Sequence, residues 1–578
     1  MMRQIAAPSF TELFTPKLLT VLRDHYDLRA LRADLIAGIT VAIVAIPLSM
    51  AIAIASGVGP ERGLFTSIVG GFIVSALGGS RFQIGGPAGA FIVLVSNTVA
   101  QHGVEGLALA TMLSGIFLVA MGLLRLGTYI KYIPYPVTVG FTAGIGAIIF
   151  AGQIKELLGL TLPGREPGPL LPKLTALAHA LPTVNPAAVA IALLSIAIIL
   201  ILRHYRPHWP NFLIAVVVGS VAASLLHLPV ATIGTRFGGM PNALPAPRLP
   251  PLSLGGILEI VPDALAFTLL GGIESLLSAV VADSMTGRRH RSNCELVAQG
   301  IANIVAPLFG GFCVTGTIAR TATNVRAGAI GPIAGITHAL ALLALLLVAA
   351  PLARYIPLAA LAGVLTIVCW GMAERHGFAI LLRTSRGDAV VLLTTFLLTI
   401  FRDLTTGIVA GFAVGALIFL RRLSNQVGVE QVMPLVSEDI ADTAARREGY
   451  DSKLAVGDDI VIYRISGAFF FGTAAAITSV LDRIAVKPKA YVIDFSEVAL
   501  LDSTAAAEIE RFATQTARRG TALVFTGAQT SVRRALLAHD LRPPRVRYRN
   551  AIADGIAAAR ELLEGRPESV SPEAEPPA

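Results

Sequence analysis

The sequence predicts a mainly α-helical polytopic membrane protein followed by a small α/β domain. The first observation behind this is composition. The 578 residues are 54% hydrophobic and only 14% charged, whereas soluble proteins carry about 25% charged residues. Mean hydropathy is +0.71. The second is the regular return of apolar runs near the length of about 20 residues that a bilayer helix needs. The third is a change of pattern near Arg421, after which short β-type runs alternate with helical ones.

Residues 1–33 form a basic, amphipathic tail with Arg3, Lys17, Arg23, Arg29 and Arg32. No cleavable signal peptide is expected, because polar and charged residues precede the first apolar run. The first span runs from about 34 to 55, with Pro47 in its middle. Pro47 reads either as a kink or as an unwound point. Further apolar runs lie near 63–78, 87–101, 106–124, 136–152, 186–202 and 211–228, then 258–282, 293–309, 317–329, 330–350, 357–372, 388–401 and 405–420. That is about 14 segments. Split as 7+7, the third of each half is broken by glycine, at the same distance from the first, as an inverted repeat predicts.

Arginine and lysine placement sets the expected orientation. Inner loops would carry Arg81, Arg125, Lys131, Arg203, Arg206, Arg288, Arg289, Arg291, Arg375, Arg383, Arg386, Arg421 and Arg422. Outer loops are poorer, so both termini are expected in the cytoplasm, in the cell inner membrane. The +9 net charge does not point to nucleic acid, since its basic residues form no stripe. The expected domains are a tail (1–33), a transmembrane domain (34–422), a polar linker (423–457), an α/β domain (458–564) and a disordered Pro/Glu/Ser-rich end (565–578). In the α/β domain, 459–465, 491–495 and 521–525 read as strands. Residues 474–484, 504–517, 531–538 and 551–563 read as helices.

Two interrupted segments carry the candidate chemistry. Gly310 to Arg326 opens with glycines, continues through hydroxyl residues and brings an arginine into the membrane. That placement costs at least about 3 kcal/mol on insertion scales. A short helix is expected to begin near Thr317, its free N–H groups and positive dipole end facing the membrane centre. With Gly316, Ile318, Ala319 and Arg320 it would form an anion pocket. The partner stretch is Gln83 to Phe91, where Gly86, Pro87, Ala88, Gly89 and Ala90 read as a second internal helix start with proline in its first turn. Matching interruptions in two halves point to a secondary transporter's binding site.

Glu274 sits among small and apolar residues of the eighth segment, with Ser275 and Ser278 near the same face. It reads as a site carboxylate that handles a proton or a cation; a partner for Arg320 or a packing acid is the plainer alternative. Asp263 is expected to cap the start of that segment. Gln83 reads as a ligand contact or a cap. His338, Cys294, Cys313 and Cys369 are expected to be structural, with no metal spacing. No phosphate-binding loop, metal constellation or nucleophile–base pair is apparent, so neither ATP-driven transport nor an enzyme is expected. In the C-terminal domain, Asp502, Ser503 and Thr504 open a helix; capping explains them, and a regulatory hydroxyl at Ser503 or Thr504 is the alternative.

The run from Asp34 to Pro47 resembles the opening segment of the sulfate permease family (SulP, SLC26 in animals). So do Gly78 to Arg81 running into Gly86 to Gly89, Glu274 to Leu277, and Arg320 to Gly328. Gly467 to Gly472 and Asp502 to Thr504 are similar to the family's STAS domain. The resemblance implies a core domain moving against a gate domain, a homodimer, and an anion held between the first, third, eighth and tenth segments. The matching positions are Pro47 to Ala51, Gly86 to Ala90, Glu274 to Ser278 and Thr317 to Arg320. Leu48, then Ser49, stands where some members have a polar residue after the proline. The expected function is secondary active transport of sulfate, bicarbonate or a dicarboxylate, with co-transported H+ or Na+ or by exchange, and with no cofactor. A cytoplasmic protein partner of the STAS domain is also expected. A passive anion channel and an anion-sensing signalling protein with STAS output are the alternatives; a nucleobase carrier is disfavoured by Arg320 and the C-terminal domain.

Overall fold

The computed structural model describes residues 10–564 apart from 25, 129–133, 165, 208, 252–253, 425–427, 432–458 and 470–487. The expected helix at 474–484, the end at 565–578 and Lys131 lie outside the described residues, as does most of the expected linker. The chain divides into two units, Met1–Gly415 and Ala416–Ala578.

The first unit is helical. Its main elements are α1 (Leu28–Ala55), α2 (Ile92–Leu123), α3 (Tyr135–Leu158), α4 (Pro186–Tyr205), α5 (Asn211–Leu225), α6 (Leu254–Thr286) and α7 (Ser292–Val305). Then follow α8 (Ile318–Arg326), α9 (Ile333–Ala353), α10 (Leu358–Met372), α11 (Arg386–Phe401) and α12 (Leu404–Ser424), within which the unit ends at Gly415. Eight helices of the described residues are long and apolar enough to cross a membrane. The expected segments 87–101 and 106–124 form one element, α2, broken at Gly103, whose φ of 70° is open to glycine at little cost. Pro47 is accommodated inside α1, which continues through it, so the helix is not unwound there.

Two groups of helices emerge from the packing. One contains α1, α2, α6, α7, α8 and α9; the other contains α3, α4, α5, α10 and α11. α2 and α7 approach closely because Gly115 and Gly300 face each other. A Cβ on Gly300 would lie 2.5 Å from the Gly115 carbonyl oxygen, and one on Gly115 would lie 2.6 Å from that of Gly300. Gly140 and Gly144 do the same for α3 against α11.

Asp34 is fully buried, and its carboxylate accepts from Tyr26 Oη (2.6 Å) and the backbone N–H groups of Ile330 (2.6 Å) and Gly331 (3.0 Å). It thereby ties the start of α1 to the turn that launches α9. Asp263 corrects the expectation: α6 begins at Leu254 and runs through Pro262, so Asp263 caps nothing. Its carboxylate instead accepts from Thr98 Oγ1 on α2 (3.0 Å).

The second unit holds a five-stranded sheet of β3 (Gly428–Gln431), β4 (Ile460–Phe469), β5 (Ala490–Leu501), β6 (Ala522–Thr526) and β7 (Arg547–Arg549), in that order. Neighbours from β4 to β7 are parallel, while β3, from the stretch read as linker, pairs antiparallel with β4. Helices α13 (Ser503–Arg518), α14 (Thr530–Ala538) and α15 (Ile552–Glu564) fall close to the expected ranges. Asp502 caps α13 by accepting from Ala505 N (2.8 Å).

Candidate functional site

The two interrupted segments meet. Gly85–Gly86 (β1) and Thr315–Gly316 (β2) form a two-residue antiparallel ladder, with Gly85 opposite Gly316 and Gly86 opposite Thr315. Extended backbone buried in a membrane protein must satisfy its own polar groups, and each break does so against the other. Each is followed by a helix start. After β1 a 3₁₀ turn, Gly89–Phe91, leads into α2. After β2, Thr317 stands at the N-cap of α8. Pro87 precedes the first turn of its helix instead of lying in it, and its carbonyl faces Arg320.

The start of α8 is open. Thr317 does not cap it; its hydroxyl donates to Ile84 O (3.1 Å), an oxygen that also accepts from Thr317 N (3.0 Å). The first N–H groups of the helix are thus left without a side-chain partner among the described residues. Ile318 is half-buried and Ala319 exposed, so the first turn is reachable.

Arg320 is 1% exposed. Its Nη1 donates to Ser67 Oγ (3.0 Å) and its Nη2 to Ser49 Oγ (3.0 Å) and Pro87 O (3.4 Å). The two serine hydroxyls are 2.9 Å apart, and Ser49 donates to Ala45 O. No ion pair of Arg320 occurs among the described residues, and its Nε has no partner there. A Cβ at position 86 would press on Arg320 Nη1, so any larger residue there has to displace the guanidinium. A positive charge is therefore held by neutral oxygens at the positive end of a helix.

α6 forms the next wall. Gln83 Nε2 donates to Ser275 Oγ (2.8 Å), so Gln83 bridges to α6 and caps no helix; its Oε1 is buried without a partner among the described residues. Ser278 Oγ donates to Thr321 Oγ1 (3.1 Å), and that oxygen also accepts from Ile84 N (3.1 Å). Thr315 Oγ1 donates to Gly271 O (3.1 Å). Glu274 is half-buried and forms no ion pair with Arg320, so the reading of it as that arginine's partner is not met. Pro47, Ser49, Gly86, Ala88, Ala90, Gly316 and Thr317 are buried, and Gly89 is half-buried. A Cβ on Gly89 would face Met372 and Ile149 of the other helix group.

Ser67 and Thr321 were not singled out by sequence. Ser67 lies in a π-helical turn, Thr66–Gly70, of the second apolar run. Its signal was a Thr-Ser pair inside an otherwise apolar stretch; such turns gather at functional sites. His338 is fully buried, with neither ring nitrogen partnered among the described residues. No group of three or more His, Cys, Asp or Glu suited to a metal occurs among them.

Comparison with known proteins places this architecture. The sulfate permease family model matches residues 31–395, and the STAS domain model matches 451–543. The chain is 39% identical over 514 residues to the "Putative sulfate transporter YvdB" of Bacillus subtilis, covering 88% of this chain and 94% of that one. It is 32% identical over 522 residues to the bicarbonate transporter BicA of Synechocystis, covering 88% and 90%. The solved transmembrane domain of a cyanobacterial BicA superposes with a TM-score of 0.60 at 32% identity, over 66% of this chain and 98% of that one. Murine Slc26a9, in the inward-facing state, shares the fold with a TM-score of 0.83 at 18% identity, over 97% and 96%. Paired helix breaks, a buried arginine between them and a C-terminal STAS domain thus come together in one chain, which belongs to the sulfate permease family of membrane anion transporters.

Proposed function

We propose that the chain is a secondary active transporter of a small oxyanion (sulfate, bicarbonate or a dicarboxylate), working as an ion-coupled symporter or an exchanger. The observation that carries this is the uncapped, reachable first turn of α8 beside an arginine that, among the described residues, is held by hydroxyls and a carbonyl. Free N–H groups and a fixed cation in a site of low dielectric favour an anion and suit no cation. The N–H groups of Ile318 and Ala319 would bind the anion, with Arg320 holding the field. Gly86 to Ala90 would form the opposing wall. Glu274, half-buried and without an ion pair among the described residues, would take the coupling H+ or Na+. The two helix groups would serve as core and gate, moving against each other for alternating access.

The same reading places the protein in the inner membrane as a homodimer with both termini cytoplasmic. Its STAS domain would meet a cytoplasmic partner, and Ser503 or Thr504 would be the regulatory hydroxyl. The test is a radiolabelled uptake panel in proteoliposomes (sulfate, bicarbonate, succinate, chloride) with imposed proton and sodium gradients. Uphill uptake of one oxyanion, abolished by Arg320→Ala in a normally folded protein, is expected. Purely downhill flux would leave a passive channel, and binding without flux would leave a sensor. Unchanged uptake by Arg320→Ala would remove the site.

A further inference from the structure

A cavity of about 620 Å³ opens between α1, α5 and α9. Its walls are apolar: Pro47 and Met50 of α1, Val217 and Val221 of α5, and Leu346 and Ala350 of α9. Ser220, Ser224 and Tyr355 are its few polar residues, and the Ser220 hydroxyl is spent on Val216 O (2.7 Å) within its own helix. An occupant is therefore expected to be apolar over most of its length, since a long polar one would be poorly partnered. Val217 and Val221 are about half exposed, so the cavity is entered from the side and not sealed.

The dimensions select the occupant. The wall from Leu213 to Leu225 rises about 18 Å at 1.5 Å per residue. One leaflet's hydrocarbon is half of a core about 30 Å thick. Arg354 stands between Ala353 and Tyr355, both of which line the cavity; it is exposed, with its guanidinium 5.3 Å from the Tyr355 ring centroid and its carbonyl fixed by Gly234 N (2.9 Å). The neighbouring Arg236 is paired with Glu156, whereas Arg354 has no ion pair among the described residues. A guanidinium free of an ion pair among the described residues, next in the chain to residues that line an apolar slot, suits a phosphodiester above an acyl chain.

We propose that this cavity is a specific phospholipid site. It seats one acyl chain of a single leaflet against Pro47 and α5, with the lipid phosphate on Arg354. The inference rests on the membrane reading and not on the anion carried. The bound chain would lie between the two helix groups, against the helix that presents Ser49 to Arg320.

Native mass spectrometry of the detergent-purified full chain tests this without any transport readout. The wild type is expected to retain one phospholipid per chain. Val217→Trp combined with Ser220→Trp, which fills the slot, should lower retention at least tenfold, and Arg354→Gln should weaken it. Leu193→Trp, at another exposed apolar position, should change nothing. Should the filled variant misfold, wild-type protein in vesicles containing a phospholipid with a photoactivatable acyl chain should be labelled within 213–225 and 342–356. Labelling spread evenly over all lipid-facing helices, retention indifferent to the filled slot, or a Val217→Cys cross-link between two copies would each overturn the site.

Discussion

Replacing Gly86 by alanine would place a methyl group against Arg320 Nη1, 3.4 Å from its Cζ and 3.0 Å from Ser67 Oγ. The change alters no charge and removes no polar group, so its effect reports only where the guanidinium must sit. The neighbours are poorly placed to yield: Ser67 is fully buried in its π turn, and Ser49 is fully buried on α1. The guanidinium has to turn, and its bond to Ser67 is the first lost. A hydrogen bond from a charged donor contributes about 1.5–3 kcal/mol, and each 1.4 kcal/mol is about tenfold. The kcat/KM for anion uptake should therefore fall roughly ten- to hundredfold by that conversion. The assay is initial uptake into proteoliposomes at matched protein content, with Gly371→Ala as the control because its added Cβ meets nothing within 4 Å. Wild-type kcat/KM in Gly86→Ala would refute the argument that Arg320 is fixed against the Gly86 backbone for transport.

Glu274→Gln should abolish the response of uptake to an imposed proton or sodium gradient while anion exchange persists; uptake still driven by the gradient would take Glu274 out of coupling. Gly300→Leu drives a side chain into the Gly115 carbonyl and the Val119 backbone N, 2.5 and 2.7 Å from the added Cβ. Overpacking of this kind costs about 1–3 kcal/mol or more, read as a lowered melting temperature of the purified protein, and an unchanged one would contradict the close approach of α2 and α7. In the second unit, burial pushes the Tyr548 phenol up to about 12, with Arg533 pulling the other way. Because the folded-state value lies above the free one of about 10, the contribution is intact below that pH and is lost as pH rises from about 10 towards 12. Protease resistance of the C-terminal unit should fall across that window, and Tyr548→Phe should flatten the fall. An equally steep decline in the variant would assign it to other groups.

The residues that could be read from sequence share one property: their role is local. The start of α8 was legible because glycines, hydroxyls and an arginine inside a membrane span fit little but an interrupted helix, and Thr317 stands at the N-cap as expected. The strand–helix alternation of the second unit was legible for the same reason. Pro87 was misplaced because proline also fits the extended residue before a helix, and here β1 claims its neighbours through pairing with β2. Asp263 failed because α6 runs on through Pro262, a continuation that neighbouring helices permit and composition does not announce. Ser67 and Thr321 were missed because each acts on a partner more than two hundred residues away. Nor could the sequence show that Glu274 and Arg320, both intramembrane and of opposite charge, would not pair. That separation depends on how α6 and α8 are rotated, and the hydroxyls of Ser49 and Ser67 take the place a carboxylate would have had.

The position of a bound anion bears most directly on all of this. A crystal structure of the protein soaked in selenate or bromide, with anomalous scattering from the ion, would locate it. The account predicts a peak within hydrogen-bonding distance of the Ile318 and Ala319 N–H groups, on the open side of α8 next to Arg320. A peak elsewhere, with the first turn of α8 turned away from the ion, would contradict it.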